Sequence, residues 1–210
     1  YGAQAVGSYV VSLAHDVDDV LSVLLLARWA GFAEGGGDSL PLDVAPLFES
    51  VTTLTAAGDI IARLLADPIY RAHVARRGNC QVVMIGYSDS NKDSGIAASR
   101  WLLRQAQVAM LKACAQAGVE LLVFHGRGGS VSRGGSRTEA VVSSLPEAVR
   151  YGRLRVTEQG ETINDRYGLR PIALRTFERG LNTLALACAG DRREEVRPGW
   201  AAAVECLATA

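Results

Sequence analysis

The stretch Gln81-Val82-Val83-Met84-Ile85-Gly86-Tyr87-Ser88-Asp89-Ser90-Asn91-Lys92-Asp93-Ser94-Gly95 decides the fold. It opens as a near-continuous apolar run, too short for a helix and rich in β-formers, which is the pattern of a strand buried on both faces. It then turns at once into polar residues and glycine, and an Ala-, Leu- and Gln-rich helical pattern follows from about Gly95 to Ala117, stopped by Gly118. Strand, polar loop, helix is the unit of a parallel sheet covered by helices.

The same unit recurs on either side. Apolar runs Ser8 to Leu13, Leu42 to Phe48, Gln81 to Tyr87 and Val119 to Phe124 start roughly 35 to 40 residues apart. Between the first two, Asp16 or Asp18 can cap a helix through Val20, Leu21, Leu24, Leu25 and Ala27, with Gly31 as its stop. Thr52 or Thr55 can start another through Ile60, Ile61, Leu64 and Leu65. A short apolar segment before Glu158 is a candidate fifth strand end, and from about Asp165 the pattern is helical only. The expected fold class is therefore α/β: a helix-rich, partial (β/α)8 barrel with four to five parallel strands and an all-helical C-terminal part. Residues 1–164 form the partial barrel with its loops and residues 165–210 a helical extension of the same domain. Gly35-Gly36-Gly37 reads as a surface loop within it.

Composition limits the function. Twenty-two basic against 22 acidic residues leave no global field for a polyanion, so neither nucleic acid nor an acidic membrane is an expected partner. At 49% apolar and 21% charged the chain is too apolar for disorder, yet runs such as Val23 to Ala27 are far too short to span a bilayer. A soluble, cytoplasmic protein is expected. The cysteines, Cys80, Cys114, Cys188 and Cys206, lack metal-ligand spacing, and apolar neighbours suggest buried thiols. Only Lys92 and Lys112 are lysines, and His15, His73 and His125 are the histidines, so their positions are informative.

In parallel βα folds chemistry gathers at the carboxyl ends of the strands. Asp89 and Lys92 follow the third strand; judged alone, that loop reads first as a plain capped turn, with Ser and Asp side chains satisfying helix-start amides, while the same geometry can hold a carboxylate for a metal and an ammonium for an anion. After the fourth strand comes Phe124-His125-Gly126-Arg127-Gly128-Gly129-Ser130-Val131-Ser132-Arg133-Gly134-Gly135-Ser136-Arg137. Such glycine density suits a backbone that approaches something closely, and its amides with Arg127 and Arg133 can hold an anion. It is neither a Walker loop nor a GxGxxG loop, and two Arg-Gly-Gly triplets are weak support for RNA binding. His125 can be a core histidine or a working one. Glu49, ending the second strand, lies level with Asp89, and two carboxylates completed by water and substrate oxygens suit Mg²⁺ or Mn²⁺. Each carboxylate alone also fits a helix cap. Together these groups describe a site for a small substrate carrying phosphate and carboxylate.

Three segments in order, Val83 to Asp93, Phe124 to Val131 and Leu154-Arg155-Val156-Thr157-Glu158-Gln159-Gly160-Glu161, closely resemble phosphoenolpyruvate carboxylases of the bacterial and plant type. Tyr9 to Ala14 with Asp19-Val20-Leu21, and Val44 to Glu49, are weaker echoes. The resemblance implies Mg²⁺- or Mn²⁺-dependent carboxylation of phosphoenolpyruvate by bicarbonate to oxaloacetate and phosphate, by way of carboxyphosphate and an enolate. It implies Glu49 and Asp89 as metal ligands, Lys92 as an active-site lysine and His125 as the group that takes a proton from the carboxylic intermediate. Arg127 and Arg133, with Gly128 and Gly129, would hold phosphate, carboxyphosphate and bicarbonate oxygens. A homotetramer is typical of the family.

The chain departs from the family pattern at Ser132 and Ser136-Arg137, where glycine and a small residue before proline are usual, and at Ser94. Family members are also several times longer. An upstream catalytic histidine and arginines from other strands have no counterpart here, and a barrel of this class closes with eight strands. The expectation is a catalytic core segment, incomplete and inactive by itself. The alternative is a noncatalytic remnant or interaction module that keeps the metal and anion loops.

Overall fold

The computed structural model describes residues 7–32, 40–130, 135, 137, 140–142, 145, 146, 153–189 and 199–209. Five strands, β1 (Ser8–Val11), β2 (Asp43–Phe48), β3 (Cys80–Gly86), β4 (Glu120–Gly126) and β5 (Arg155–Thr157), pair in parallel. Their order in the sheet is their order in the chain. A doubly wound sheet would reverse direction at a switch point, whereas unbroken sequential order is that of a barrel wall. The expected partial barrel is what the chain forms.

Between the strands run α1 (Val17–Trp29), α2 (Val51–Ala66), α3 (Pro68–Arg76) and α4 (Ser88–Gln116). After β5 come α5 (Gly160–Tyr167), α6 (Arg170–Cys188) and α7 (Trp200–Thr209). Side chains of one strand parity point outward into the helices: Phe48, Val83, Ile85 and Val123 join Leu54, Ile61 and Leu64 of α2 and Leu103 and Met110 of α4 in one buried core. The other parity lines the concave face. There Arg155 of β5 lies 4.4 Å over the Phe124 ring and donates from Nη1 to Ser8 Oγ of β1 at 2.9 Å. A contact between the first and last strands of a sequential sheet requires that the sheet curl.

Local chemistry sets the helix starts. Asp16, with Asp19, closes a capping box on α1, so of the two candidate caps it is Asp16 that serves. For α2 the cap is Ser50, boxed with Thr53, rather than Thr52 or Thr55. The sequence pattern passes over α3 because its apolar period is weak, but Asp67 accepts from Ile69 and Tyr70 amides and Pro68 opens the first turn. The helix expected from Gly95 instead starts at Ser88 and is broken at Gly95, which has φ 76° and ψ 165°. Across that break Ser90 Oγ and Ser99 Oγ are 2.8 Å apart and buried.

Burial departs from the sequence reading at the C-terminal end. Cys114 is buried and Cys80 half-buried, but Cys188 and Cys206 are exposed. Leu174, Phe177 and Leu181 of α6 are exposed too, because that helix has no buried face among the described residues. No helix among the described residues is long and apolar enough to cross a membrane.

Helices α2 and α4 meet with almost no gap: a Cβ built on Gly58 would lie 2.6 Å from Ala109 Cβ, with Ala109 backbone just behind it. Neither side can yield without moving a helix axis. Gly58→Val is expected to destabilise the fold by about 1–3 kcal/mol through overpacking, read as a lowered urea midpoint; an unchanged midpoint would show that the two helices separate freely.

Candidate active site

Glu49 stands one residue beyond β2 and packs its side chain on Gly86 at the end of β3. A Cβ at Gly86 would come within 2.5 Å of Glu49 Cβ, so only glycine leaves the acid its place. Burial raises the Glu49 carboxyl above its ordinary value; the Leu13 backbone amide pulls it down, and the neighbouring Asp89 carboxylate raises it again. Leu13 ends β1's loop in the left-handed region, at φ 51°. Two acids from adjacent strand ends therefore face one another, and their mutual repulsion is what a divalent cation would relieve.

Neither acid is spent on a helix cap. Ser50 caps α2, and Tyr87, the residue before α4, makes no side-chain cap bond. Asp89 Oδ1 instead accepts from Lys92 Nζ at 2.8 Å, with both side chains more than half exposed. The capped-turn reading of this loop therefore gives way to a carboxylate and an ammonium held at the surface of the strand ends. Among the described residues no group of three or more His, Cys, Asp and Glu side chains could hold a metal. The donor set is two hard oxygens, which fits Mg²⁺ or Mn²⁺ completed by water and substrate and does not fit a closed zinc site.

One strand over, His125 is 1% exposed, and its Nδ1 lies 2.8 Å from the hydroxyl of the equally buried Tyr87. Burial, reinforced by the Arg127 guanidinium, pushes the imidazole down to about 4, so it is neutral near pH 7. Arg100 of α4 sits 5.0 Å over the Tyr87 ring. Arg127 is buried at 3% exposure; desolvation works against its charge while Glu158, just past β5, supports it. Glu158 is itself gripped by Arg166 of α5, whose Nη1 donates to both carboxylate oxygens at 2.7 and 2.6 Å. Arg100, Arg127 and Arg166 thus concentrate positive charge around the ends of β4 and β5, the right sign for a small anion.

Gly135 N–H donates to the Ser130 carbonyl at 2.7 Å, and a Cβ there would meet the carbonyls of Gly128, Gly129 and Ser130 within 2.8 Å. Gly128 is buried and Gly129 half-buried beside Arg127, while Arg137 is exposed. Arg133, Ser132 and Ser136 lie outside the described residues.

Of the residues singled out in the sequence, the fold brings Glu49, Asp89 and Lys92 into one group and His125 and Arg127 into another. The backbone joins them: Tyr87 N–H donates to the Gly126 carbonyl at 3.4 Å. Three participants escape sequence reasoning. Tyr87 sits in the decisive stretch but reads as a strand residue, while Arg100 and Arg166 are lost in a chain whose cations are nearly all arginine.

Fold and site together define a partial βα-barrel protein with two facing carboxylates beside an arginine cluster at the carboxyl ends of its strands. The family model of phosphoenolpyruvate carboxylase matches residues 1–210, and the chain belongs to that family. It is 51% identical over 197 residues to the phosphoenolpyruvate carboxylase of Xanthomonas euvesicatoria pv. vesicatoria (strain 85-10), covering 94% of this chain and 22% of that protein. Against the enzyme of that name from Rhodothermus marinus it is 42% identical over 188 residues, 85% of this chain and 20% of the relative. For Mycobacterium avium (strain 104) the identity is 43% over 181 residues, 85% of this chain and 19% of the relative. The chain spans about a fifth of the length of these relatives.

The buried imidazole makes stability depend on pH. Unfolded histidine takes its proton near 6.5, while folded His125 resists until about 4, so the unfolded state binds more protons in between. Stability contributed at neutral pH is therefore lost as pH falls from about 6.5 towards 4, by up to roughly 3 kcal/mol. Urea unfolding at pH 7 and pH 5 should show a smaller pH effect in His125→Gln than in the parent; equal slopes would mean that His125 is solvated.

Proposed function

We propose that these residues carry part of the catalytic centre for Mg²⁺- or Mn²⁺-dependent carboxylation of phosphoenolpyruvate by bicarbonate. The observation that supports this most is the sorting of charge along neighbouring strand ends: Glu49 and Asp89 face each other beyond β2 and β3, and Arg127 stands beyond β4 among further guanidiniums. A reaction that moves a phosphoryl group between two oxyanions needs both.

In this reading a bicarbonate oxygen attacks phosphorus as the phosphate ester bond breaks, giving carboxyphosphate and the enolate of pyruvate. Carboxyphosphate then releases phosphate and CO₂, and the enolate carbon bonds to that CO₂ to give oxaloacetate. Glu49 and Asp89 would hold the cation, which when bound supplies charge stabilisation at phosphoryl and enolate oxygens. Arg127 orients oxyanions by its fork of donors, and its burial keeps water from screening them. Gly128 and Gly129 let an anion approach the backbone there, with Arg133 as a second guanidinium. Lys92 supplies an ammonium at the cation side, where it donates to Asp89 Oδ1.

The test uses the full-length protein that contains this sequence. Bicarbonate-dependent phosphate release should fall by at least about a hundredfold in Lys92→Ala, in line with the loss of one charge-stabilising donor. Undiminished turnover in that variant would remove the lysine from the reaction. Mn²⁺ titration separates the readings further. Asp89→Asn should weaken binding by well over tenfold, roughly the least that loss of a supporting contact costs, whereas Mn²⁺ binding without any turnover in the parent favours a noncatalytic remnant. Gly86→Ala, whose new methyl displaces Glu49, should also weaken Mn²⁺ by about tenfold while the far-ultraviolet circular dichroism stays unchanged.

A further inference from the structure

The interior pair Tyr87 and His125 joins the two halves of the site, yet the charge sorting described above does not use it. Tyr87 directly follows β3 and His125 lies in β4, in register with Ile85. Their hydroxyl and Nδ1 are 2.8 Å apart, with Tyr87 3% and His125 1% exposed. The aromatic rings are tilted by 54°, with centroids 6.1 Å apart, and Arg100 lies over the outer side of the arrangement on the Tyr87 face.

A contact of this length contains one hydrogen, and its owner determines the histidine tautomer. If Nδ1 owned it, the tyrosine oxygen would accept and its own O–H would need another acceptor inside the protein. Among the described residues the Tyr87 hydroxyl makes one hydrogen bond, the one to His125. The charged neighbours that act on Tyr87 are the guanidiniums of Arg100 and Arg127, which are donors only. The hydroxyl hydrogen consequently has one place to go.

We propose that Tyr87 is a positioning residue that donates its hydroxyl hydrogen to His125 Nδ1, fixing the imidazole as the Nε2–H tautomer. His125 then offers its surroundings a hydrogen-bond donor at Nε2 rather than a lone pair. Resting on the carboxylation reading, this makes it a donor to oxyanion oxygens alongside Arg127. It replaces the proton-accepting part that the family resemblance gives this histidine. Accepting a proton at Nε2 would require the tyrosine bond to reverse first, and among the described residues there is no second acceptor for the displaced hydrogen.

The tautomer is read directly by long-range ¹⁵N–¹H correlation of histidine side chains in the full chain at pH 7. Three histidines keep the spectrum simple, and His125→Gln identifies its signals by their loss. The expected pattern is a protonated-type shift at Nε2 and an unprotonated-type shift at Nδ1. An Nδ1–H pattern, or two protonated nitrogens, overturns the proposal. In Tyr87→Phe the single pattern should give way to a mixture of tautomers, and an unchanged pattern would show that something other than Tyr87 fixes it. Where Tyr87→Phe does not fold, the parent spectrum still decides the tautomer. The measurement needs no substrate, so loss of the carboxylation reading and loss of the tautomer assignment are separate results.

Discussion

Seven consecutive residue pairs, from Cys80 with Glu120 to Gly86 with Gly126, fix β3 against β4, and the site depends on that register. Side chains alternate faces along a strand, so a slip of β4 by one residue would send Val123 into the concave face and turn Phe124 out towards the helices. Ending both strands on glycine also matters. At Gly86 the bare Cα receives Glu49, and at Gly126 a Cβ would crowd Met84 Cε at 2.8 Å and the Ile85 carbonyl at 3.0 Å. The chain turns where the two strands run out of side chains, and Asp89 and Arg127 follow just beyond that line.

Electrostatics then divide the rim. Zero net charge hides a local division, with two carboxylates facing each other at one place on the rim and several guanidiniums gathered at another. Glu49 and Asp89 collect at β2 and β3, where burial and mutual repulsion hold the Glu49 carboxyl above its usual range. Arg127 collects at β4, kept charged in a buried place by Glu158, which Arg166 in turn holds. Tyr87 and His125 lie on the seam between the two groups, where a neutral imidazole avoids adding charge to either.

The concave face is held from the other side by Arg155. Stacked on Phe124 and bonded to Ser8, it ties β5 to β1 and fixes the curl that brings the strand ends around one centre. Exposed apolar residues on α1 and α6, among them Leu26, Trp29, Phe177 and Leu181, accompany a chain that spans about a fifth of its relatives. The core runs between β2, β3, β4 and the α2–α4 pair, where Gly58 admits Ala109, and takes in Val20 of α1 and Tyr70 and Val74 of α3.

Much of this was legible in the chain order. Near-continuous apolar runs followed by polar loops and helical stretches pointed to parallel strands and a barrel wall, because burial on both faces leaves an unbroken apolar signature. Glu49, Asp89, Lys92, His125 and Arg127 were legible as strand-end polar residues. What stayed hidden depended on distance. Whether Asp89 caps a helix or faces Glu49, whether Cys188 is buried, and that Arg100 and Arg166 take part are decided by neighbours far away in sequence. The amino-acid sequence by itself determined the elements, their order and the residue types at the rim, since these follow from local pattern. Tertiary structure alone decided the pairing of Glu49 with Asp89, of Tyr87 with His125 and of Arg127 with Glu158. Those pairings rest on register and curl, which bring together groups 30 to 40 residues apart, as Glu49 and Asp89 are.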